Sequence, residues 1–421
     1  YWPPSGGSGV QRWLKFVKYL PQFGIEPIIF TPENPSFINK DESLLSEVRD
    51  SVEVIRFPIW EPYNLFSKVK GSKKAHQKEV NIQGKKSLFE KIALWIRGNL
   101  FLPDPRLFWI KPSVSFLKDF IPDNEIKLII TTGPPHSIHL IGKRLRKKLK
   151  IKWFADFRDP WKDWDLLDEF YPTFFSKWYH KQKESQVLNT CDQAITIGWE
   201  MQKMFEESTD KKVHVITNGF DQDDFEINST VKVPGKSPIM IRHIGSVDDL
   251  RDPMPFLFTL KNYLKDYEAV SVEFIGNVSG NLIRKVQEDS VLKNLVIFRE
   301  YVPFSELKKI YDSTDVLLLI LAQNKSSKLN VTGKIFEYIA SGCPVLAIGD
   351  VSGDAAKIIN NTKCGVICDW KDTQFMEEQI DKIIQGKFTF TVNSETVNSL
   401  TRKNLTKKLS ELIANELKSE I

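Results

Sequence analysis

Two short segments of this 421-residue chain carry residue types at spacings suited to holding phosphate. In one, Gly333-Lys334-Ile335-Phe336-Glu337 opens an apolar helical pattern that runs to Ala340 and stops at Gly342-Cys343-Pro344. A helix N-terminus offers free N–H groups and the positive end of a dipole, so a lysine in its first turn suits a diphosphate. Glu337 lies three residues on, on nearly the same face, where a carboxylate accepts hydrogen bonds from two ribose hydroxyls. The competing reading is a surface Lys–Glu pair with no task. The other segment, Pro4-Ser5-Gly6-Gly7-Ser8-Gly9, precedes a helical stripe of Val10, Trp13, Leu14, Val17 and Leu20. Its glycines let backbone approach a ligand closely at a helix start. The spacing is not that of a P-loop, no Lys-Ser/Thr pair follows, and a plain loop satisfies the same pattern.

Other polar clusters are expected to serve the fold. Asp221-Gln222-Asp223-Asp224 contains the D-x-D spacing that can hold Mg²⁺, but it follows a strand, where capping the next turn is the expected task. Net charge is +5, with basic excess concentrated in residues 68–86 and 143–152. The second run begins on a helix with Ile138, Ile141, Leu145 and Leu149 facing inward, so its lysines read as a solvated face. Membrane contact ranks second and nucleic acid third, since no nucleic-acid motif accompanies the run. Cys191, Cys343, Cys364 and Cys368 form no C-x-x-C pair. Neither a disulfide framework nor a zinc site is expected, and a reducing cytosolic setting is.

The elements that must position these residues alternate along the chain. Strands are expected at 27–30, 127–131, 152–156, 193–197 and 213–217, then at 239–244, 271–275, 296–300, 316–320, 345–348 and 366–368. Helical patterns of ten to fifteen residues separate most of them, which implies parallel sheets with helices on both faces. The fold class expected is α/β with two Rossmann-like lobes. Asn218-Gly219-Phe220-Asp221 ends the first lobe with turn chemistry, and polar residues 226–238 form a linker. The expected division is 1–225, 226–390 and a C-terminal segment, 391–421, whose amphipathic helix at 396–417 packs back on the first lobe. The chain opens on a loop with no initiator Met, so a first strand is expected to be missing and N-terminal targeting is not read. No run of eighteen apolar residues occurs, so no bilayer span is expected. Leu88, Ile92, Trp95 and Ile96 line one side of a helix that Phe101 and Leu102 extend. This stripe reads either as an interfacial helix meeting anionic lipid or as a face packed on the lobe's own core.

Residues 333–347 closely resemble the second half of the donor-binding signature of GT-B glycosyltransferases, the retaining family 4 type. Four other segments resemble the same family, in its order. Pro3-Pro4-Ser5-Gly6-Gly7 with Arg12 is similar to its Gly-rich first loop. Asp156-Phe157-Arg158-Asp159-Pro160-Trp161 resembles a motif of a bacterial cell-surface polysaccharide branch. Asn218-Gly219-Phe220-Asp221 is similar to the N-G-x-D exit from the first lobe, and Gly245 followed by Arg251 to the loop that opens the second.

The resemblance implies a GT-B fold, with a nucleoside diphosphate sugar held in a cleft between the lobes and its sugar transferred with retention. Arg251 and Lys334 would meet the charge of the departing diphosphate. Gly6, Gly7, Gly245, Gly333 and Glu337 would bind the donor, and Asp159 or His136 would orient or deprotonate the acceptor hydroxyl. Cationic side chains imply no metal, and the donor is a substrate rather than a cofactor. A saccharide or lipid-linked acceptor, no nucleic acid, and a cytoplasmic site or the inner face of the membrane complete the expectation. Two departures from the pattern stand out. Eight residues before Glu337, where the family often has a second Glu, this chain has Leu329. Where many relatives place a His it has Arg158-Asp159, with His136 and His139 as nearby substitutes. A nucleotide-sugar 2-epimerase on the same scaffold and a non-catalytic nucleotide-sugar-binding scaffold protein are the alternatives.

Overall fold

The structure, a computed structural model, describes residues 2–6, 8–35, 40–61, 87–225, 238–265 and 267–418. It divides into two compact units. Tyr1–Thr217 and Leu405–Ile421 form the first, and Asn218–Asn404 the second.

In the first unit, β1 (Ile29–Pro32) pairs in parallel with β2 (Val54–Phe57). A separate parallel sheet runs in the order β3 (Leu128–Gly133), β4 (Lys152–Phe157), β5 (Gln193–Thr196), β6 (Val213–Val215). β4 explains the layering. Successive strand residues point to opposite faces, and here both faces are covered. Phe154 packs with Phe16 of the Ser8–Tyr19 helix and with Leu405, Leu409 and Ile413 of the C-terminal helix. On the other face, Trp153 lies so close to Gly142 of the Ser137–Leu149 helix that a Cβ there would come within 2.3 Å of its Nε1. The expected strand at 27–30 begins two residues later, at Ile29.

The second unit holds one six-stranded parallel sheet in the order β12-β11-β10-β7-β8-β9. Its strands are β7 (Ile239–Ile244), β8 (Val270–Ile275), β9 (Val296–Arg299), β10 (Val316–Ile320), β11 (Val345–Ile348) and β12 (Gly365–Cys368). All five residues of β10 are buried, as expected of a central strand covered on both faces. Strand order reverses between β7 and β10, and ligands of such open sheets sit beyond the strands' carboxyl ends at that switch point. The β7–β8 ladder continues to Ile244↔Ile275, whereas β7–β10 pairing stops at Arg242↔Leu317.

The expected helix at 396–417 is two helices, Ser394–Ser399 and Arg402–Lys418. Thr401 causes the break. Its hydroxyl donates to the Asn398 carbonyl at 2.9 Å and accepts from the Asn404 N–H at 3.4 Å, capping the second helix as it ends the first. Apolar spacing continues through Val397, Leu400, Leu405 and Leu409, so sequence periodicity conceals the break. Thr401 also bridges to Phe220, whose carbonyl accepts from Arg402 N–H at 2.8 Å. Those bonds place residues 218–225 in the second unit, so the division falls after Thr217 rather than after 225.

Candidate functional site

At the switch point of the second unit, Thr332 caps the Gly333–Ser341 helix by accepting the Lys334 N–H at 3.2 Å. The helix is tied to the tip of β7, where the Tyr338 hydroxyl accepts from the Ile244 N–H at 2.8 Å. This brings Lys334 across Gly245. A Cβ on Gly245 would lie 2.2 Å from the Lys334 Cε, and its φ of +122° is a conformation glycine tolerates, so the lysine's path requires a glycine there twice over. The Lys334 ammonium donates to the Ser246 carbonyl at 3.3 Å and faces the Nε2 of His243 at 3.2 Å. Burial, then the charge of Arg251, lowers its pKa to about 8, against the pull of Glu337 and Asp248. Arg251 is held by Asp248, which pairs with its guanidinium and accepts its backbone N–H at 3.1 Å.

Glu337 is partly buried, and the Tyr311 hydroxyl donates to it at 3.3 Å. Burial pushes the Glu337 carboxyl up, opposed by Tyr311, Lys334 and Arg402. Burial and the nearby Glu337 hold the Tyr311 hydroxyl well above its ordinary pKa, so it remains a donor. The structure therefore brings Gly245, Arg251, Gly333, Lys334 and Glu337 into one locality of the second unit. It adds His243 and Tyr311, which the sequence reading missed. The one signal for His243 was a polar pair, Arg242-His243, inside an otherwise apolar strand.

The remaining candidates lie in the first unit. Gly6 precedes the Ser8–Tyr19 helix, and Gly7 lies outside the described residues. Asp156 is fully buried. It accepts from Arg12 Nη2 and Nε at 2.8 and 3.3 Å, from Trp13 Nε1 at 2.8 Å and from the Thr132 hydroxyl at 2.8 Å. Burial alone would raise its pKa, but Arg12 and the other donors outweigh it and hold the carboxyl below its ordinary value. The Arg12 Nη1 donates to the Thr217 carbonyl, so this arginine serves the architecture of the lobe.

Arg158 donates to the Gly133 carbonyl through its backbone N–H and its side-chain Nε, and to the Pro134 carbonyl through Nη2. Its guanidinium lies over the start of the Ser8–Tyr19 helix, where a Cβ on Gly9 would come within 1.5 Å of Nη1. Asp159 is partly exposed, and burial raises its pKa against the opposing charge of Arg158. His136 is only 7% exposed and stacks on Trp161 with ring centres 4.9 Å apart and planes within 7°. Neither of its ring nitrogens makes a well-formed hydrogen bond among the described residues, although the Pro160 carbonyl lies near enough to favour its charged form. Burial, and the neighbouring His139, push its pKa well below the ordinary value. Trp161 is held in turn by donating to His180 Nδ1 at 2.9 Å and to Glu184. Asp221 is buried and accepts the Asp223 N–H at 3.2 Å, so the D-x-D closes a turn on itself.

Residues 243–386, which include this cluster of the second unit, match the family described as Glycosyl transferases group 1. No curated protein sequence matches the chain. Solved structures do. Sucrose-phosphate synthase from Thermosynechococcus elongatus is 12% identical with a TM-score of 0.60, covering 98% of this chain and 94% of that one. Anabaena HepE, in complex with UDP and glucose, is 12% identical with a TM-score of 0.60 over 99% of this chain and 98% of that one. The lipopolysaccharide outer core galactosyltransferase WaaB is 10% identical, with a TM-score of 0.63 over 98% and 97%. The chain thus has the GT-B fold of the glycosyltransferases, with its group 1 family match on the unit that holds Lys334, Gly245 and Arg251.

Proposed function

We propose that the protein is a retaining, metal-independent glycosyltransferase. It would move a sugar from a nucleoside diphosphate sugar to a saccharide or lipid-linked saccharide in cell-surface polysaccharide synthesis. One observation carries the reading: the Lys334 ammonium, packed over Gly245 at the switch point of a parallel sheet and beside Arg251, has neutral hydrogen-bond acceptors among the described residues, His243 and the Ser246 carbonyl. As the bond from the anomeric carbon to the diphosphate oxygen breaks, negative charge grows on the diphosphate. Cations already in place stabilise that charge without reorganising, and stabilisation of this kind lowers the barrier more than any other effect in many enzymes. Lys334 and Arg251 supply the charge neutralisation, and no divalent ion is needed for it. Glu337 accepts from the ribose hydroxyls with Tyr311 steadying it. By the family resemblance, Gly6 and Gly7 would add N–H donors and Asp159 would take the acceptor hydroxyl. His136, buried and stacked on Trp161, is the alternative group for that task, and its packing also suits it to support the loop that carries Arg158 and Asp159.

Transfer assays with a panel of nucleoside diphosphate sugars and lipid-linked acceptors, run with and without a chelator, test this reading. Transfer with retained anomeric configuration, insensitive to the chelator, is the expected result. Conversion of the donor to its 2-epimer would favour the epimerase. Binding with neither transfer nor donor hydrolysis would favour the scaffold protein.

We further infer that the first unit docks on anionic lipid at the inner face of the membrane. Among the described residues no helix is long and apolar enough to cross a membrane, so any attachment of the described part would be peripheral. In the Leu88–Leu100 helix, Leu94 alone of the large apolar residues is buried, against Leu167 and Phe170. Leu88, Phe89, Ile92 and Trp95 are exposed, Trp95 by 42%. That helix is joined to the Phe174–Thr190 helix by the Ser176 hydroxyl donating to the Gly98 carbonyl at 2.7 Å. Phe174, Phe175 and Trp178 of the second helix are exposed as well. Aromatic residues with flanking Lys91 and Lys177 suit a membrane interface. The Lys-rich run at 68–86 falls outside the described residues.

A further inference from the structure

We propose that His243 is a positioning residue that holds the Lys334 ammonium over Gly245, an assignment resting on the reading of Lys334 as the diphosphate contact. His243 occupies a core position of β7, in register with Phe274 of the β8 core, and is wholly buried. An apolar side chain would cost less there, because a buried polar ring must find partners for its nitrogens. Both nitrogens are committed. Nδ1 lies 2.9 Å from the Leu318 carbonyl of β10, beyond the last β7–β10 ladder pair at Arg242↔Leu317. A carbonyl only accepts, so Nδ1 carries the proton. The neutral ring then presents the lone pair of Nε2, which faces the Lys334 ammonium at 3.2 Å. Burial, the neighbouring Lys334 charge and, less, Arg251 keep the ring neutral, with a pKa of about 3, against the pull of the Leu318 and Ser246 carbonyls.

The consequence is a lysine fixed before any ligand arrives. An ammonium has three N–H donors. Here one meets His243 Nε2 and one the Ser246 carbonyl at 3.3 Å, which leaves one for a ligand oxygen. A lysine stem is flexible, and ordering it in advance removes an entropic cost from the binding step. Carboxylate partners would fix it equally well but would cancel the charge. Neutral acceptors keep it. Elsewhere around the ammonium, Arg251 opposes its charge while Glu337 and Asp248 favour it, so with the Ser246 carbonyl the ring is one influence among five charged or polar neighbours.

Three substitutions separate positioning from mere packing. His243→Leu keeps bulk and removes both bonds. In His243→Gln the amide oxygen reaches the place of Nε2, and in His243→Asn the amide nitrogen reaches only that of Nδ1. Competitive acetylation read by mass spectrometry follows the titration of Lys334 with no ligand present. Calorimetry then compares whichever of ADP, GDP and UDP binds wild type best with its monophosphate. In His243→Leu and His243→Asn the Lys334 pKa falls by about one pH unit, since the charged form has lost an acceptor. Diphosphate affinity falls about tenfold while the monophosphate changes little, and His243→Gln restores both. An unchanged Lys334 titration in His243→Leu overturns the proposal, as does rescue by Asn but not by Gln. If the titration shifts as stated while wild type prefers no diphosphate over its monophosphate, the positioning stands and the reading of Lys334 as a diphosphate contact fails.

Discussion

Asp156 in the first unit and Lys334 in the second are both charged groups near strand ends of parallel sheets, yet their surroundings differ in kind. Asp156 is surrounded by its opposite: a guanidinium donates to both its oxygens, and an indole and a hydroxyl add to them. Lys334 is bonded to a carbonyl and a neutral imidazole, while farther off Arg251 opposes its charge and Glu337 and Asp248 favour it. A buried charge whose bonding capacity the fold itself fills ties helix to sheet. A charge whose hydrogen bonds go to neutral acceptors, its path kept open by a glycine, is kept for a partner that arrives later.

The largest effect on stability should follow from breaking the filled site. Asp156→Ala leaves Arg12 buried without its carboxylate and should cost about 3–5 kcal/mol in denaturant unfolding. A loss below about 1 kcal/mol would remove the contrast with the second unit. Lys334→Ala should do the reverse: stability near wild type, but kcat lower by roughly 10²–10³, with KM less affected, because the charge it meets grows as the diphosphate leaves. A change in KM alone would contradict that role. Glu337→Ala should weaken nucleotide binding by about 1.5–3 kcal/mol, and the loss should vanish with a nucleotide lacking ribose hydroxyls.

How much of this was legible beforehand depended on whether the signal was local. Strands such as β10 and β11 are apolar at every position because both faces are covered, so they announce themselves. Lys334 and Glu337 stand one turn apart on a helix whose start and Gly342 end are marked by type. His243 carries no such mark, since its meaning depends on a carbonyl 75 residues and an ammonium 91 residues away. Arg12 lies in the segment that resembles a ligand loop, but it answers to Asp156, 144 residues on. His136 sits beside a promising motif, and only the stacked Trp161 reveals that it is covered. The stripe from Leu88 was ambiguous for the opposite reason: periodicity says that a face is apolar, not what covers it.

Acidity sharpens the comparison at smaller amplitude. The Lys334 pKa is lowered, to about 8, so the ammonium is present below that pH and lost as pH rises through it. Diphosphate affinity of the wild type should therefore decline above about pH 8, by at most about tenfold per pH unit, and Lys334→Ala should flatten the decline. Weakest of all, Trp95→Ala should reduce flotation with anionic vesicles a few-fold, in a manner that added salt abolishes. Binding that ignores both lipid charge and Trp95 would return that helix to a purely structural role.

The most direct measurement is calorimetric titration of a nucleoside diphosphate and its monophosphate into wild type and Lys334→Ala. If the second unit stores its charge for a diphosphate, wild type prefers the diphosphate, and Lys334→Ala loses most of that preference while retaining the monophosphate. Equal loss for both ligands, or an unchanged preference, would contradict it.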